Sequence, residues 1–574
     1  MKFHKYFPAL SLLLFSADFS LAADQNGYTA RYECRAGGAY CNVDVQSLAT
    51  RACDQTITPS MPWSSINWSN NTICIDAGDH TGKGTLTIPG GTSGTDANRK
   101  VLRYTRSGDT NDDPWRQSVN NQARLSKVSV QASYWVVERL AFPSLDQDLG
   151  ERVEVTGGQT DVIIDRLLVE GSAAGNWNTY QGIVVECCNA QRITIQNNLV
   201  RNNWNRQGAE PHGITPLDGT DIRIVNNEVR NWSAHNIQIG RNEAPTMAGF
   251  VIENNDLYLT SEWHTRGGAM ARAKGMLHIK ASATAGNPGR IIQNRMWGGR
   301  ITDLSSCCIV GDTVTGIGII PPTNGGYSYI TIQNNIIWDQ QKGLVWSTGY
   351  SNHQSIVGNI WYKMRVYDTS SFPYSHAIEL RATNTTELYM NTFIDNQQHG
   401  LSFGGGLGDT DIRCNVFLSA GARQGGSPDG GTRVDANAFY DTSAWSFNGS
   451  APDVNQSVVY RSDNTTYATG QVIRVGSTDQ CRTDSDTACY LYQVVSGGRS
   501  ASGGQSYCTA LGCTVNDGEV VARAIRGPYT FNTRLRSGPE AYTIPYARVA
   551  TAAPEANRCP SDYSARGNLG ISDN

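Results

Sequence analysis

The triplet His278-Ile279-Lys280 brings together two residue types that can transfer protons. Basic residues flank it on both sides: Arg272, Lys274, Arg290, Arg295 and Arg300. Clustered cations repel each other unless an anion pairs with them, and positive neighbours lower the pKa of a lysine, which frees its amine to act as a base. An isolated exposed lysine more often only keeps a protein soluble. The clustering therefore favours a site that holds an anionic group, such as a uronate carboxylate, beside Lys280.

Strand patterns predict that His278 and Lys280 lie on one face. The triplet belongs to a repeated phrase whose first and third positions are mostly apolar, as in Ile183-Val-Val-Glu186, Ile237-Gln-Ile-Gly240 and Ile378-Glu-Leu-Arg381. Because strand side chains alternate between faces, the second and fourth positions point outward. Stacked phrases would then form a shallow polar groove suited to a linear polysaccharide.

Two long insertions bracket the Lys280 strand, at residues 260–274 and 300–322. Insertions in a solenoid map to loops on one side, often the binding side. The insertions and the outward strand positions supply most of the candidate substrate-binding residues, and His212 of the His212-Gly213 pair is added to them: Glu186, His212, Gln238, Arg241, Trp263, His264, Arg266, Arg272, Glu379 and Arg381. As a lone histidine, His212 is more often a hydrogen-bonding loop residue than a ligand.

An Asn-terminated phrase identifies the elements that position these residues. It occurs as Ile195-Gln-Asn-Asn198, Ile224-Val-Asn-Asn227, Ile252-Glu-Asn-Asn255, Ile292-Gln-Asn-Arg295 and Ile332-Gln-Asn-Asn335, with weaker copies ending at Asn359, Asn391 and Asn415. A short β-branched strand that recurs at steps of 24 to 40 residues indicates coils that stack into one core. Asn tolerates left-handed backbone angles at a bend, and stacked Asn side chains can bond along a column.

These repeats resemble the right-handed parallel β-helix of secreted polysaccharide-active proteins. We predict an all-β fold with a Cys-rich N-terminal cap and a small β-rich C-terminal module. The predicted divisions are a signal peptide at 1–22, the cap at 23–84, the β-helix at 85–455, the C-terminal module and return segment at 456–549, and a tail at 550–574.

The pattern is similar to β-helix lyases of the alginate and chondroitin type, which pair a Lys base with an Arg about one coil later. This resemblance implies Lys280 as the base, Arg300 as the carboxylate partner and His278 as an assistant. Those lyases place acidic Ca²⁺ ligands shortly before the Lys, where this chain has Ala273 and Gly275. We therefore predict no metal ligands and leave Ca²⁺ open as a cofactor.

Three other functions fit part of the pattern. A hydrolase of the polygalacturonase type needs paired carboxylates; His212-Gly213 before His278-Ile279-Lys280 echoes that family, but Asp-Asp occurs only at 112–113, in a predicted loop. A C5-epimerase would begin with the same proton abstraction. A non-catalytic glycan-binding adhesin, like a phage tailspike, would keep the groove without needing Lys280.

Composition predicts an exported protein, secreted or periplasmic. A positive start, an apolar stretch and Ser20-Leu21-Ala22 are typical of a signal peptide. All 14 cysteines follow it, and an even count in an exported chain favours disulfides over metal sites.

The net charge of −4, without a basic tract, argues against nucleic acid, and no other apolar segment reaches membrane length. We expect a monomer whose partner is an acidic polysaccharide.

Overall fold

The computed structural model describes most of the chain between residues 51 and 550. The described ranges are 34–36, 39–41, 51–105, 113–145, 150–171, 179–186, 188–203, 211–241, 246–265, 275–299, 315–319, 328–346, 353–365, 375–380, 385–403, 409–418, 433–435, 437–440, 454–533, 535 and 540–550. The statements about structure that follow concern these residues.

Three long parallel sheets form the body of the molecule, and each coil contributes one strand to each sheet in turn. The first sheet has 14 strands: β3 (Gln55–Ile57), β4 (Thr72–Ile75), β7 (Lys100–Tyr104), β10 (Trp135–Glu138), β13 (Ile163–Asp165), β16 (Thr194–Gln196), β19 (Arg223–Val225), β22 (Val251–Glu253), β25 (Gly289–Ile292), β28 (Ser328–Gln333), β31 (His353–Val357), β34 (Thr385–Tyr389), β37 (Asp409–Arg413) and β39 (Arg433–Asp435).

The second sheet also has 14 strands: β5 (Gly78–Asp79), β8 (Ala123–Arg124), β11 (Ala141–Phe142), β14 (Leu168–Glu170), β17 (Leu199–Asn203), β20 (Glu228–Trp232), β23 (Asp256–Tyr258), β26 (Arg295–Gly299), β29 (Ile336–Gln340), β32 (Ile360–Tyr362), β35 (Thr392–Ile394), β38 (Val416–Leu418), β40 (Ala438–Tyr440) and β41 (Val454–Gln456). The third has 11: β6 (Thr85–Ile88), β9 (Lys127–Val130), β12 (Gly150–Val155), β15 (Thr179–Val185), β18 (His212–Pro216), β21 (His235–Gly240), β24 (Gly275–Lys280), β27 (Thr315–Ile319), β30 (Lys342–Trp346), β33 (His376–Leu380) and β36 (His399–Phe403). The predicted right-handed parallel β-helix is confirmed.

One hydrophobic core fills the space between the sheets. In the third sheet, Ile183, Ile214, Ile237, Leu277 and Ile317 are register partners on successive strands, and all five side chains are buried. Aliphatic residues fit this position because each packs on its equivalents one coil away, about 4.8 Å along the axis. The repeated strand phrases therefore correspond to continuous stacks in the core.

The turn between the first and second sheets carries a ladder of buried asparagines. In Asn227, Asn255, Asn294 and Asn335, each Nδ2 and each backbone N–H donates to the Oδ1 of the next coil's asparagine, at 2.8–3.0 Å. Each Nδ2 also donates to a core-strand carbonyl, as Asn294 does to Ile252 at 2.8 Å. The predicted bonding between stacked asparagines is thus present.

The left-handed bend falls one residue before the ladder. Asn197, Asn226, Asn254 and Asn334 have φ between 54° and 58°. In each Asn-Asn pair, therefore, the first residue makes the bend and the second makes the ladder. The ladder position is the one that demands Asn, because Gln293, Met390 and Cys414 take the left-handed position in other coils.

The coils begin earlier than residue 85. Strands β3 and β4 pair in parallel with each other, β4 pairs with β7, and β5 pairs with β8. The disulfide Cys53–Cys74 joins the residues just before β3 to β4 in the next coil. Apolar positions at Ile57, Ile73 and Ile75 continue the core stack, so part of the segment predicted as a cap has coil geometry. Strands β1 (Cys34–Ala36) and β2 (Ala39–Cys41) form a separate antiparallel pair.

The C-terminal region is a six-stranded sheet with a small two-stranded one. The larger contains β42 (Val458–Tyr460), β44 (Val472–Arg474), β45 (Leu491–Ser496), β47 (Thr514–Asp517), β48 (Val520–Asn532) and β49 (Ala541–Val549); the smaller pairs β43 (Thr466–Tyr467) with β46 (Gly498–Arg499). Disulfides Cys481–Cys489 and Cys508–Cys513 close short loops here. Together with Cys53–Cys74, these pairings agree with the prediction that the N-terminal and C-terminal cysteine clusters form disulfides rather than metal sites.

Helices are few and short in the described ranges. The α-helix α1 spans Ser261–Thr265, and 3₁₀ turns occur at Trp63–Ser65, Thr81–Lys83, Pro114–Arg116, Val119–Asn121, Thr478–Gln480 and Thr487–Cys489. Within the residues described, no helix has the length and apolar character needed to cross a membrane.

Candidate functional site

The outer face of the third sheet carries two columns of polar side chains. The first column is Glu151, Gln181, His212, His235, Gly275, Thr315, Lys342, His376 and His399. The second column is Ser129, Glu154, Val184, Thr215, Gln238, His278, Gly318, Val345, Glu379 and Ser402. The prediction that the second position of each phrase points away from the core agrees with this register.

On β15, β18 and β27, the small residue that follows the first-column position points into the core, so the first-column side chain itself points outward. Gly182, Gly213 and Gly316 lie between a first-column residue and the first core residue of the phrase. A Cβ at Gly213 would lie 2.6 Å from Val229 Cγ1, and one at Gly316 would lie 2.8 Å from Ile337 Cγ2. Both positions therefore face the core side chains of the second sheet. Since the glycine points inward, the residue before it points outward.

Three histidines form a contiguous group at the centre of this face. The rings of His212 and His235 stack at 5.1 Å, with their Nδ1 atoms 3.3 Å apart. The His278 ring lies 4.2 Å from the His235 ring. One Nδ1 must donate and the other accept, so His212 and His235 adopt complementary tautomers. The three imidazoles thus form a contiguous row across strands β18, β21 and β24, in which the His278 ring is tilted by 43° from the His235 ring.

Two glycines, Gly275 and Gly318, border this group. Gly275 leaves the first column empty on β24, where a Cβ would lie 3.6 Å from His235 Cδ2. His278, in the second column, therefore leans towards His235. On the other side, Gly318 of β27 would place a Cβ 3.8 Å from His278 Cδ2. His278 is 4% exposed, so its ring lies at the floor of the face rather than in open solvent.

Lys280 lies two residues beyond His278 on the same side of β24 and is half-buried. Its register partner is Gly240, whose φ is +79° and which presents no side chain to it. Gln238, the partner of His278, donates from Nε2 to the Gly240 carbonyl at 3.2 Å. Strand β24 therefore places the Lys280 amine and the His278 imidazole side by side. The neighbouring position on β21, beside Lys280, is Gly240, which has no side chain.

The imidazole group does not have the geometry of a metal centre. The His212 and His235 rings are inclined at 28° to each other, and the His235 and His278 rings at 43°. Across the described ranges, no group of three or more His, Cys, Asp or Glu side chains is placed to hold a metal ion. Imidazoles and an amine can donate and accept protons and hydrogen bonds.

Carboxylates concentrate at the N-terminal end of the face. Lys127 Nζ lies 3.0 Å from Glu151 Oε2 and 3.1 Å from Glu154 Oε2. Burial alone would lower the pKa of Lys127, but hydrogen bonds to the two carboxylates raise it. Burial raises the pKa of Glu186, and repulsion from Glu154 and Glu151 raises it further. Three carboxylates therefore share one cation here.

The predicted site residues fall into three groups. His212, Gln238, His278 and Lys280 lie together at the centre of the face. Glu186 lies at its acidic end, and Glu379 lies three strands beyond His278 in the second column. Arg241 follows β21 directly and is half-buried. Outside the described residues are Arg266, Arg272, Arg300, Arg381 and the side chain of His264.

Trp263 does not line a groove. It lies in helix α1, is 7% exposed and belongs to the main hydrophobic core. The sequence prediction placed it in a groove wall because it falls in an insertion next to polar residues. The structure instead uses the large indole to extend the core under the insertion, since burying an aromatic ring is strongly favourable.

In the first column, sequence reasoning identified His212 but missed His235, Lys342, His376 and His399. The signal was available: His212-Gly-Ile214, His235-Asn-Ile237, His376-Ala-Ile378 and His399-Gly-Leu401 repeat a histidine two residues before the apolar start of the phrase. The position was overlooked because simple alternation would turn it inward, together with the apolar residue two positions later. The inward glycine, alanine or asparagine interrupts that alternation.

Comparison with known proteins finds similarity only among solved structures. No family model and no curated protein sequence matches the chain. A mannuronic acid specific polysaccharide family 6 lyase from human gut microbiota is 13% identical, with 71% of this chain and 86% of that chain covered and a TM-score of 0.40. A periplasmic alginate epimerase is 12% identical, with 68% and 84% covered and a TM-score of 0.35.

A further similar structure has a different name and activity. It is a DFA-IIIase from Arthrobacter chlorophenolicus A6, 12% identical, with 64% of this chain and 74% of that chain covered and a TM-score of 0.33. The assignment of this chain to the parallel β-helix fold rests on its own strand pairing, described above.

Proposed function

We propose that this protein is an exported lyase that cleaves an acidic, uronate-containing polysaccharide by β-elimination. The observation that carries the proposal is the group formed by Lys280, His278 and His235 at the centre of the third sheet. It combines a half-buried amine with two imidazoles on a long face whose outward residues repeat along the axis. A linear polymer can lie along such a face.

The proposed reaction begins at Lys280. Its neutral amine removes the proton from the carbon next to the uronate carboxylate, and the electron pair passes into that carboxylate. The pair then forms a carbon–carbon double bond as the glycosidic carbon–oxygen bond breaks. The departing oxygen takes a proton, which His278 or the Lys280 ammonium supplies. Arg300 remains our proposed partner for the carboxylate, whose negative charge increases during the first step.

Hydrolysis at the central histidines is the weaker alternative because of where the described carboxylates lie. A glycoside hydrolase needs two carboxyl groups across the scissile bond, at separations up to about 9.5 Å. Among the residues described on this face, Glu186 and Glu379 lie three strands from His278 and Glu154 lies four, or roughly 14–19 Å at about 4.8 Å per strand. Export is part of the proposal, since Cys53–Cys74, Cys481–Cys489 and Cys508–Cys513 suit an oxidising compartment.

The test is a panel of acidic glycans incubated with wild type and with Lys280→Ala. We expect ultraviolet absorbance from unsaturated uronate with at least one glycan, and a loss of about 10³-fold or more in the variant, because a base and its positioning are both removed. New reducing ends without that absorbance would indicate a hydrolase. Inverted uronate stereochemistry without cleavage would indicate an epimerase, and binding without any product would indicate an adhesin.

A further inference from the structure

We propose that the last coils of the third sheet form a second glycan-binding subsite, built from Lys342, His376, Glu379 and His399. It would bind an acidic sugar unit of the same polysaccharide whose reacting uronate lies at Lys280. This inference rests on the proposed substrate class and extends it. Lys342, His376 and His399 have no role in the proposed β-elimination.

The side chains of this group contact one another as regularly as those at the centre of the face. The His376 and His399 rings are register partners on β33 and β36 and stack at 4.8 Å with an interplanar angle of 16°. Lys342 precedes them in the first column, and its Nζ lies 2.8 Å from Glu379 Oε2. His376, Glu379 and His399 are buried, and the ion pair with Lys342 compensates the cost of burying the Glu379 carboxylate.

The position of the group suits a polymer that also occupies the centre. Both histidine groups lie in the same two columns of one sheet. From His278 to Glu379 the second column advances three strands, or about 14 Å at about 4.8 Å per strand. Between them the second column holds only Gly318 and Val345, which offer no hydrogen bonds to a sugar. In the first column, Thr315 lies between Gly275 and Lys342. Among the described residues of this face, the next charged side chains towards the C-terminus after Lys280 are therefore those of this group.

The charge along the face points the polymer in this direction. At the N-terminal end, the three carboxylates Glu151, Glu154 and Glu186 surround the Lys127 ammonium, which is the cation that the described residues place among them. At the C-terminal end, the charge of Glu379 is matched by Lys342, and two imidazoles adjoin them. A polyanion is repelled by an excess of carboxylates and not by a matched pair. The acidic chain should thus extend from Lys280 towards His399.

The chemistry of the group suits a sugar acid. The Lys342 ammonium and imidazole N–H groups can donate to a carboxylate or a hydroxyl, and the Glu379 carboxylate can accept from a sugar hydroxyl. The half-buried Ser402, next to Glu379 in the second column, supplies another hydroxyl. The group therefore has donors for the carboxylate of a uronate and an acceptor for its hydroxyls.

The test is the affinity of Lys280→Met protein for uronate oligosaccharides of increasing length, measured calorimetrically. We expect a rise in affinity once the oligosaccharide is long enough to reach the histidine pair. Adding His376→Gln or His399→Gln should reduce this rise by about tenfold, which corresponds to about 1.4 kcal/mol. His353→Gln is the matched control, because His353 is an exposed histidine on the first sheet, and it should leave the rise intact.

A second variant guards against misfolding. Ser402→Tyr adds bulk at a half-exposed position and should also suppress the rise by blocking the subsite. An unchanged rise in His399→Gln and in Ser402→Tyr, with wild-type melting temperatures, would overturn the inference. The binding measurement does not depend on catalysis. If no glycan of the panel gives unsaturated products, the lyase proposal is refuted. The subsite proposal is decided only by how the affinity changes with oligosaccharide length.

Discussion

Glu186 makes a residue-scale prediction about stability and pH. Its pKa is raised above the ordinary 4.5 by burial and by Glu154 and Glu151. Ionising it therefore costs the folded state more than the unfolded state, so its contribution to stability is lost as pH rises above its ordinary pKa. We expect Glu186→Gln to melt at a higher temperature than wild type near neutral pH and at the same temperature near about pH 4.

The control for this prediction is Glu387→Gln, a half-buried glutamate on the first sheet. A melting difference between Glu186→Gln and wild type that is equal at both pH values would mean that packing, and not charge repulsion, explains the change. A lower melting temperature for Glu186→Gln near neutral pH would contradict the account directly.

The central site could be predicted only in part from the sequence. His278 and Lys280 were identified because alternation places both outward, and the structure places them on one strand face. His235 was not, since its outward direction depends on Asn236 turning into the core, where its Nδ2 donates to the Tyr258 carbonyl at 3.3 Å. Such an exception to alternation is a property of the packed coil and has no signature in one strand alone.

The asparagine ladder makes a prediction at the scale of the element. Asn294→Ala removes the acceptor for the backbone N–H and the side-chain amide of Asn255, and leaves the Ile252 carbonyl without its donor. Each buried group left unsatisfied costs about 1–3 kcal/mol. We expect the free energy of unfolding to fall by at least about 2 kcal/mol in denaturant titrations.

Asn120→Ala is the matched control, because Asn120 is exposed and lies outside the ladder. It should change the denaturation midpoint little. Equal midpoints for Asn294→Ala and Asn120→Ala would show that water or neighbouring groups replace the ladder bonds without loss, contrary to the structure.

The sequence predicted the strands within the solenoid better than it predicted where the solenoid begins. The β-branched phrases and the Asn column are local patterns, so the stacking of coils followed from them. The first coil was missed because Gln55–Ile57 and Thr72–Ile75 lack the Asn ending and lie among cysteines. Their membership in the first sheet depends on pairing with β7, which is a long-range contact.

At the scale of the whole molecule, the C-terminal strands cover one side of the solenoid. The outer face of the second sheet carries a stack of Tyr258, Trp297 and Trp338, with ring separations of 4.3 and 4.7 Å. Tyr542 of β49 packs on it, 5.1 Å from Trp338, and the buried Ile544 belongs to the same cluster. Tyr258, Trp297 and Trp338 are register partners on β23, β26 and β29, so the stack runs along the axis of the solenoid.

This packing predicts that the solenoid and the C-terminal strands unfold together. Ile544→Ala should lower the free energy of unfolding by about 2–4 kcal/mol, because it opens a cavity in the shared cluster. Thermal unfolding of wild type and variant should show one cooperative transition. Val495→Ala, at an exposed position of β45, is the control. Two separate transitions, with the larger one unaffected by Ile544→Ala, would show that the C-terminal region is independent.

The most direct test of the central claim is the mass of the products formed in water enriched with heavy oxygen. Elimination breaks the glycosidic bond without consuming water, so wild type should yield unsaturated oligosaccharides that carry no label from the cleavage step. Lys280→Met should yield essentially none of them. Saturated products that incorporate the label, or full cleavage by Lys280→Met, would contradict the assignment of this face to β-elimination with Lys280 as its base.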